Sequence, residues 1–262
     1  MRKYLKIYTR IFKLSLMSEI SNRENFFTWM AIHTVSLLTI FIFFKIIFQS
    51  TSNINGWTEY QTLLVLGIAS LITGLGSLTF FSFMYHFGLE IQKGEFDMKL
   101  VKPIDVHFLS SFYWVDFEDV IIIPNSLILI VYSLINLNPP YLLINFFVFI
   151  LLILSSLVIL FSALTLIQSL ALKLVRVDSV ANFFWSMVNI SRYPTKAIRG
   201  ISTIAAVLLA PVALISSVPA EVLFGRFEPV WILTSLISAV ILFILSRRVF
   251  MSALRHYSSA SS

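Results

Sequence analysis

Apolar and polar positions alternate along this chain on a long scale, not residue by residue. Several apolar runs reach the ~18–20 residues needed to cross a bilayer as a helix. Short polar stretches that carry most of the charge separate them. The runs predict six transmembrane helices, at 26–48, 62–83, 120–137, 142–172, 201–218 and 230–245. A membrane β-barrel would instead show alternating segments of about 10 residues, and the chain has none. Residues 1–25 follow another pattern. Arg2, Lys3, Lys6, Arg10 and Lys13 are interleaved with apolar residues, and Leu5, Tyr8 and Phe12 recur at spacings of three and four. That spacing predicts a basic amphipathic helix lying on the membrane surface. The expected fold is therefore all-α: an interfacial helix over 1–25 and a six-span domain over 26–262.

Within the runs, a few residues depart from plain hydrophobicity. Gly67, Ser70, Gly74 and Ser77 are spaced three, four and three, so they share one helical face. Small residues let backbones approach closely in lipid, which fits either a subunit interface or a contact within the chain. Pro211 removes a helical hydrogen bond and predicts a kink or break in the fifth span. Lys45 is close enough to the far end of its span to reach the interface. His33 lies deeper and reads as a hydrogen-bonding group between helices. Asp116, Glu118 and Asp119 precede the third span; their spacing does not aim all three at one point, so they read as a solvated helix start.

Composition strengthens this reading. The chain is 58% hydrophobic and 12% charged, whereas a soluble domain is roughly 45–50% apolar and about 25% charged. It has no cysteine, which excludes disulfides, thiolate metal sites and cysteine nucleophiles. The first apolar run lacks a small-residue cleavage site and reads as a retained anchor. The net charge is +6. If both termini lie in the cytoplasm, 17 of the 19 basic residues fall on the inner side, within 1–25, 84–107, 173–200 and the tail. The opposite orientation would violate the positive-inside rule almost completely. Basic charge divided among four membrane-flanking segments also argues against nucleic acid as a partner.

No engine is visible. The sequence contains no phosphate-binding G-x-x-x-x-G-K-[ST] loop, no G-x-S-x-G elbow and no H-E-x-x-H pair. Its four histidines lack metal-ligand spacing, so neither a catalytic residue nor a metal site is expected. Ionisable residues at midspan are few, which disfavours ion-coupled transport. A membrane passage without an energy source needs a cytoplasmic partner. The best candidate contact is "EIQKGEFDMKLVKPID", residues 90–105, in which seven of 16 residues are charged. The segment predicts a short helix over 90–100, stopped before Pro103, with Phe96 and Leu100 four apart as an exposed apolar knob. Such a knob could dock into a partner's groove; the alternative is an ordinary solvated loop.

These residues resemble a family. "GEFDMKLVKPID" is similar to the G-x-[LF]-D-x-x-L-x-[KR]-P-[LI] stretch of type-2 ABC transporter permeases, in the branch grouped with daunorubicin and viologen efflux; Gly94, Phe96, Asp97, Leu100, Lys102, Pro103 and Ile104 fill its places. Arg192, Tyr193, Pro194, Pro211, Pro219 and Ala220 resemble a second family pattern, R-Y-P followed by a proline-containing span and P-A-x-x-[LF]. The resemblance implies the membrane subunit of an ATP-driven exporter in the bacterial cytoplasmic membrane. It implies pairing with a second permease, identical or paralogous. ATP and Mg would be bound by separate ATPase subunits, so this chain would not itself be an enzyme. The loop at 84–107, chiefly 94–103, and the amino-terminal helix would couple to the ATPase, and spans two and five would line the subunit interface. A short outer segment, 219–229, would follow span five. The alternatives are a lipid or glycoconjugate flippase on the same scaffold, and a membrane scaffold or immunity factor that moves nothing.

Overall fold

A computed structural model describes residues 2–54, 56–140, 142–172, 182, 184–186, 188–189, 192, 214–226 and 228–257. The described residues are helical, with no strand among them. Among the described residues, five helices are long and apolar enough to cross a membrane. They are α2 (Arg23–Ser50), α3 (Glu59–Gln92), α6 (Glu118–Leu137), α7 (Leu142–Ala171) and α9 (Pro229–Arg255). Helix α1 (Arg2–Ser21) precedes them. Two short helices, α4 (Asp97–Leu100) and α5 (Val106–Ser111), separate α3 from α6. A ten-residue apolar helix, α8 (Leu214–Leu223), precedes α9. The expected fifth span falls partly on 201–213, outside the described residues.

Helix α3 is the centre of the bundle. Thr58 starts it, its backbone N–H donating to the Gln61 side chain at 3.1 Å. This is half of a capping box, which satisfies donors that the first helical turn leaves free. At Ser77–Phe81 the helix loosens to a π-helical turn, where Phe81 lies across Gly76. A Cβ on Gly76 would come 2.7 Å from the Phe81 ring. Gly67 and Gly74 press against α6: their Cβ positions would lie 2.9 Å from Ile130 and 3.0 Å from Ile123. Ser70 and Ser77 are buried beside them. The small-residue stripe is thus a contact within the chain. Of the two readings of the stripe, the glycines serve the one within the chain, because they let α6 occupy that face.

The second pairing joins α7 to α9 and α8. Ser155 of α7 donates to the Ser235 carbonyl of α9 at 2.9 Å. Pro219 lies inside α8 and is buried, so the helix runs past the expected end of the span at 218. A proline there cannot bond the carbonyl four residues earlier. That carbonyl, on Ile215, instead accepts the Ser156 hydroxyl at 2.7 Å. The helix therefore continues through the proline with its acceptor satisfied from α7.

The loops divide into two ends. At one, Trp57 packs edge-on against Phe224 at 5.5 Å, and Gly225 lies against Pro140. Lys45 pairs with Glu59 there at 2.5 Å. At the other, the turn from residue 93 to 105 meets both ends of the described chain. Lys3 donates to the Pro103 carbonyl at 2.9 Å, and Phe96 packs on Tyr257. Lys93, Lys99, Lys102, Arg247 and Arg248 also belong to this second, basic end.

Candidate functional site

The turn after α3 is built from the inside outward. Helix α3 carries through Glu90 and ends at Gln92, not in the loop as a separate helix. Gly94 then takes φ +73°, a left-handed conformation that glycine adopts without strain, and reverses the chain. The Phe96 N–H bonds back to the Glu90 carbonyl at 3.1 Å. Reversal carries the Phe96 ring inward, to 5.1 Å from Phe87 and 5.3 Å from Tyr257, where it is 0% exposed. The expected knob is therefore corrected: Phe96 is the internal anchor of the turn. Leu100, four residues on, is exposed instead of sharing its face.

Lys99 also points inward, against every expectation for a lysine in a charged loop. Its ammonium lies 2.7 and 2.6 Å from the two oxygens of Glu90, and both side chains are nearly buried. Trp114 Nε1 donates to the same carboxylate at 3.0 Å, and the ammonium stands 4.6 Å from the Tyr113 ring centre. Burial draws the Lys99 pKa below the ordinary lysine value, against the opposing pull of Glu90. Charge, aromatic face and indole together satisfy a pair that would be costly if left half-made.

With Phe96 and Lys99 inside, other residues form the outer surface. Met98 is 71% and Val101 83% exposed, next to Leu100, Lys102 and Pro103. Asp97 is half-buried at the start of α4. Asp105 closes the turn by accepting from the Phe108 N–H at 2.8 Å, and also from Arg247 of α9 at 2.7 Å. Helix α1 joins through a row of rings: Tyr4 on Phe108, Tyr8 on Phe112 and Phe12 on Phe117, each edge-on. Leu5 is 67% exposed, and the docked row runs at a spacing of four from Tyr4.

Two further polar groups were legible only in part. His33 does bridge helices, with Asp119 of α6 at 2.5 Å. Asn25 donates to Glu118. Glu118 and Asp119 thus tie α6 to α2 and are not a solvated start. Burial also raises the Asp116 carboxyl above the ordinary carboxylate value. His107, buried against Phe161 and Phe250, lies 3.2 Å from the Thr165 hydroxyl, and burial pushes it down to about 4. Arg192, half-buried in a turn, lines a cavity of about 40 Å3 with His33, Ser70 and Asn125. Tyr193, Pro194 and Pro211 lie outside the described residues. Among the described residues no group of three His, Asp or Glu could hold a metal ion.

A multi-helix membrane protein with an internally braced turn between its second and third long helices is the class these features define. Residues 34–261 match the model of the family described as ABC-2 family transporter protein, and the chain belongs to that family. Helix α1 and the first part of α2 lie outside the matched residues. No curated protein and no solved structure matches the chain.

Proposed function

We propose that this chain is the permease subunit of an ATP-driven ABC exporter, with ATP and Mg bound on separate ATPase subunits. Membrane proteins of the ABC-2 family generally work with ABC ATPase partners. The observation that carries the reading is the turn at 93–105. Phe96 and the Glu90–Lys99 pair make it stiff, while Met98 and Val101 stand outward where a partner can reach them. A push on such a surface moves α3, because the turn's internal contacts are with the end of that helix. Arg247 and Asp105 pass the same push to α9, and Lys3 links it to α1. Coupling thus falls on Met98, Leu100 and Val101, with Gly94, Phe96, Asp97, Lys102 and Pro103 shaping the turn.

In this reading the basic end faces the cytoplasm, as the positive-inside rule requires, and both termini lie there. The sixth span expected at 201–218 belongs to the same reading. A second permease, identical or paralogous, completes the passage. The test is co-purification of the ATPase. Met98→Asp or Val101→Asp, both at exposed positions, abolishes ATPase retention and substrate-stimulated ATP hydrolysis while leaving the amount of folded permease unchanged. Retention of the ATPase by both variants would overturn the docking assignment.

A further inference from the structure

Where α1 crosses the bundle it leaves an open groove of about 850 Å3, lined by Arg2, Leu5, Tyr8, Thr79, Phe108 and Phe112. The last three also line a second groove of about 430 Å3, which continues past Leu154, Leu157 and Phe243 to Arg247. The two form one trough along the basic end. Its walls are almost wholly apolar. The Thr79 hydroxyl is turned back onto its own helix, donating to the Leu75 carbonyl at 2.7 Å.

The charged residues that line the trough, Arg2 and Arg247, are both cationic. Lys3, next to Arg2, binds the Pro103 carbonyl, and Arg247 binds Asp105 two residues further on. Asp105 offsets Arg247. Arg2 and Lys3 are exposed, and α1 carries five basic residues before its first acid, Glu19. The trough thus has greasy walls and a positive rim. A soluble anion would gain nothing from the walls. A neutral amphiphile would leave the rim unmatched. The membrane in which this family works supplies an amphiphile that matches both.

We infer that the trough is a binding site for one anionic phospholipid. Its phosphate lies on Arg2 and Lys3, and its acyl chains run along Leu5, Phe108 and Phe112 toward Leu157 and Phe243. Bound there, the lipid wedges α1 against the π-helical turn of α3, so the position of α1 depends on the lipid. The inference needs only a chain in a membrane, and it stands or falls separately from ATPase docking.

The experiment is native mass spectrometry of the purified full-length chain. Phosphatidylglycerol and phosphatidylcholine with identical acyl chains are supplied in equal amounts. Each basic residue at a membrane surface favours an anionic lipid about fivefold, so phosphatidylglycerol is retained at least that strongly over phosphatidylcholine. Arg2→Gln with Lys3→Gln brings the ratio close to one without changing phosphatidylcholine retention. Leu5→Trp, at an exposed position on the groove wall, lowers retention of both lipids. Equal retention by the wild type, or a preference that survives the double variant, overturns the site. So does displacement of the lipid by inorganic phosphate alone, which would mean that the walls contribute nothing. The chain has no cysteine, so Leu5→Cys carries a single thiol. Its oxidation in membranes to a disulfide-linked dimer would show that a second copy covers the groove, and would overturn the lipid assignment.

Discussion

Helices α2 and α3 are nearly equal in hydropathy and opposite in burial. In α3, 83% of the most apolar stretch is buried inside the chain; in α2, only 11% is. Apolarity takes a helix into the membrane but does not choose its neighbours, because lipid tails are as apolar as a leucine side chain. Close approach and hydrogen bonds make that choice. Helix α3 has glycines at 67 and 74 that admit α6, whereas α2 has no glycine and is filled with Ile, Leu and Phe. Polar ties hold α2 in place: His33 to Asp119, Lys45 to Glu59, and Asn125 to Thr34 at 2.9 Å.

The difference is tested hardest at the end of α3. Glu90→Ala leaves Lys99 buried with no carboxylate, and breaking a buried pair from one side costs about 3–5 kcal/mol. The predicted result is a correspondingly large drop in the denaturant midpoint of the purified chain. Replacing both partners, Glu90→Leu with Lys99→Met, recovers much of that loss, because no uncompensated charge remains. A single variant as stable as wild type would mean that the turn is not braced from inside.

Close packing is tested in the middle of the same helix. Gly67→Val puts a Cβ 2.9 Å from Ile130 Cγ1 and 3.3 Å from the Ile130 backbone nitrogen. A side chain can move, but the backbone of α6 cannot move without losing its own helix bonds. Overpacking of this kind costs about 1–3 kcal/mol. Adding Ile130→Ala relieves only the side-chain part, so the double variant recovers part of the stability and not all of it. Full recovery would show that α6 touches Gly67 by one flexible side chain, not by close backbone contact.

These contacts mark the boundary of what the sequence could reveal. The helical fold followed from apolar length, and the expected spans 142–172 and 120–137 agree closely with α7 and α6. The ends of α3 and α9 did not follow, because hydropathy measures bilayer thickness while a helix continues for as long as its backbone bonds do. Glu90 and Lys99 are nine residues apart, a separation with no helical meaning; only the reversal at Gly94 brings them together. The same reversal defeated the reading of Phe96 and Leu100 as one face. Gly67 and Gly74 announced a close contact, but the partner helix lay outside any local pattern. The expected span ended at 218, before Pro219, because the Ser156 hydroxyl that satisfies Ile215 is 59 residues away in sequence.

The smallest predicted effect belongs to α2. Val35 and Ile42 are 61% and 53% exposed, and truncating each to alanine removes surface that no other part of the described chain covers. The unfolding free energy should change by less than about 0.5 kcal/mol in either case, as for other exposed positions. A larger loss would mean that protein covers this face in the sample, and dilution then identifies which protein. A contact within the chain is independent of concentration, whereas one made by a second copy weakens as copies separate by mass action. A loss that shrinks on dilution would therefore place the partner permease on α2. A loss that persists would mean that the chain itself covers this face, and would make α2 as much an interior helix as α3.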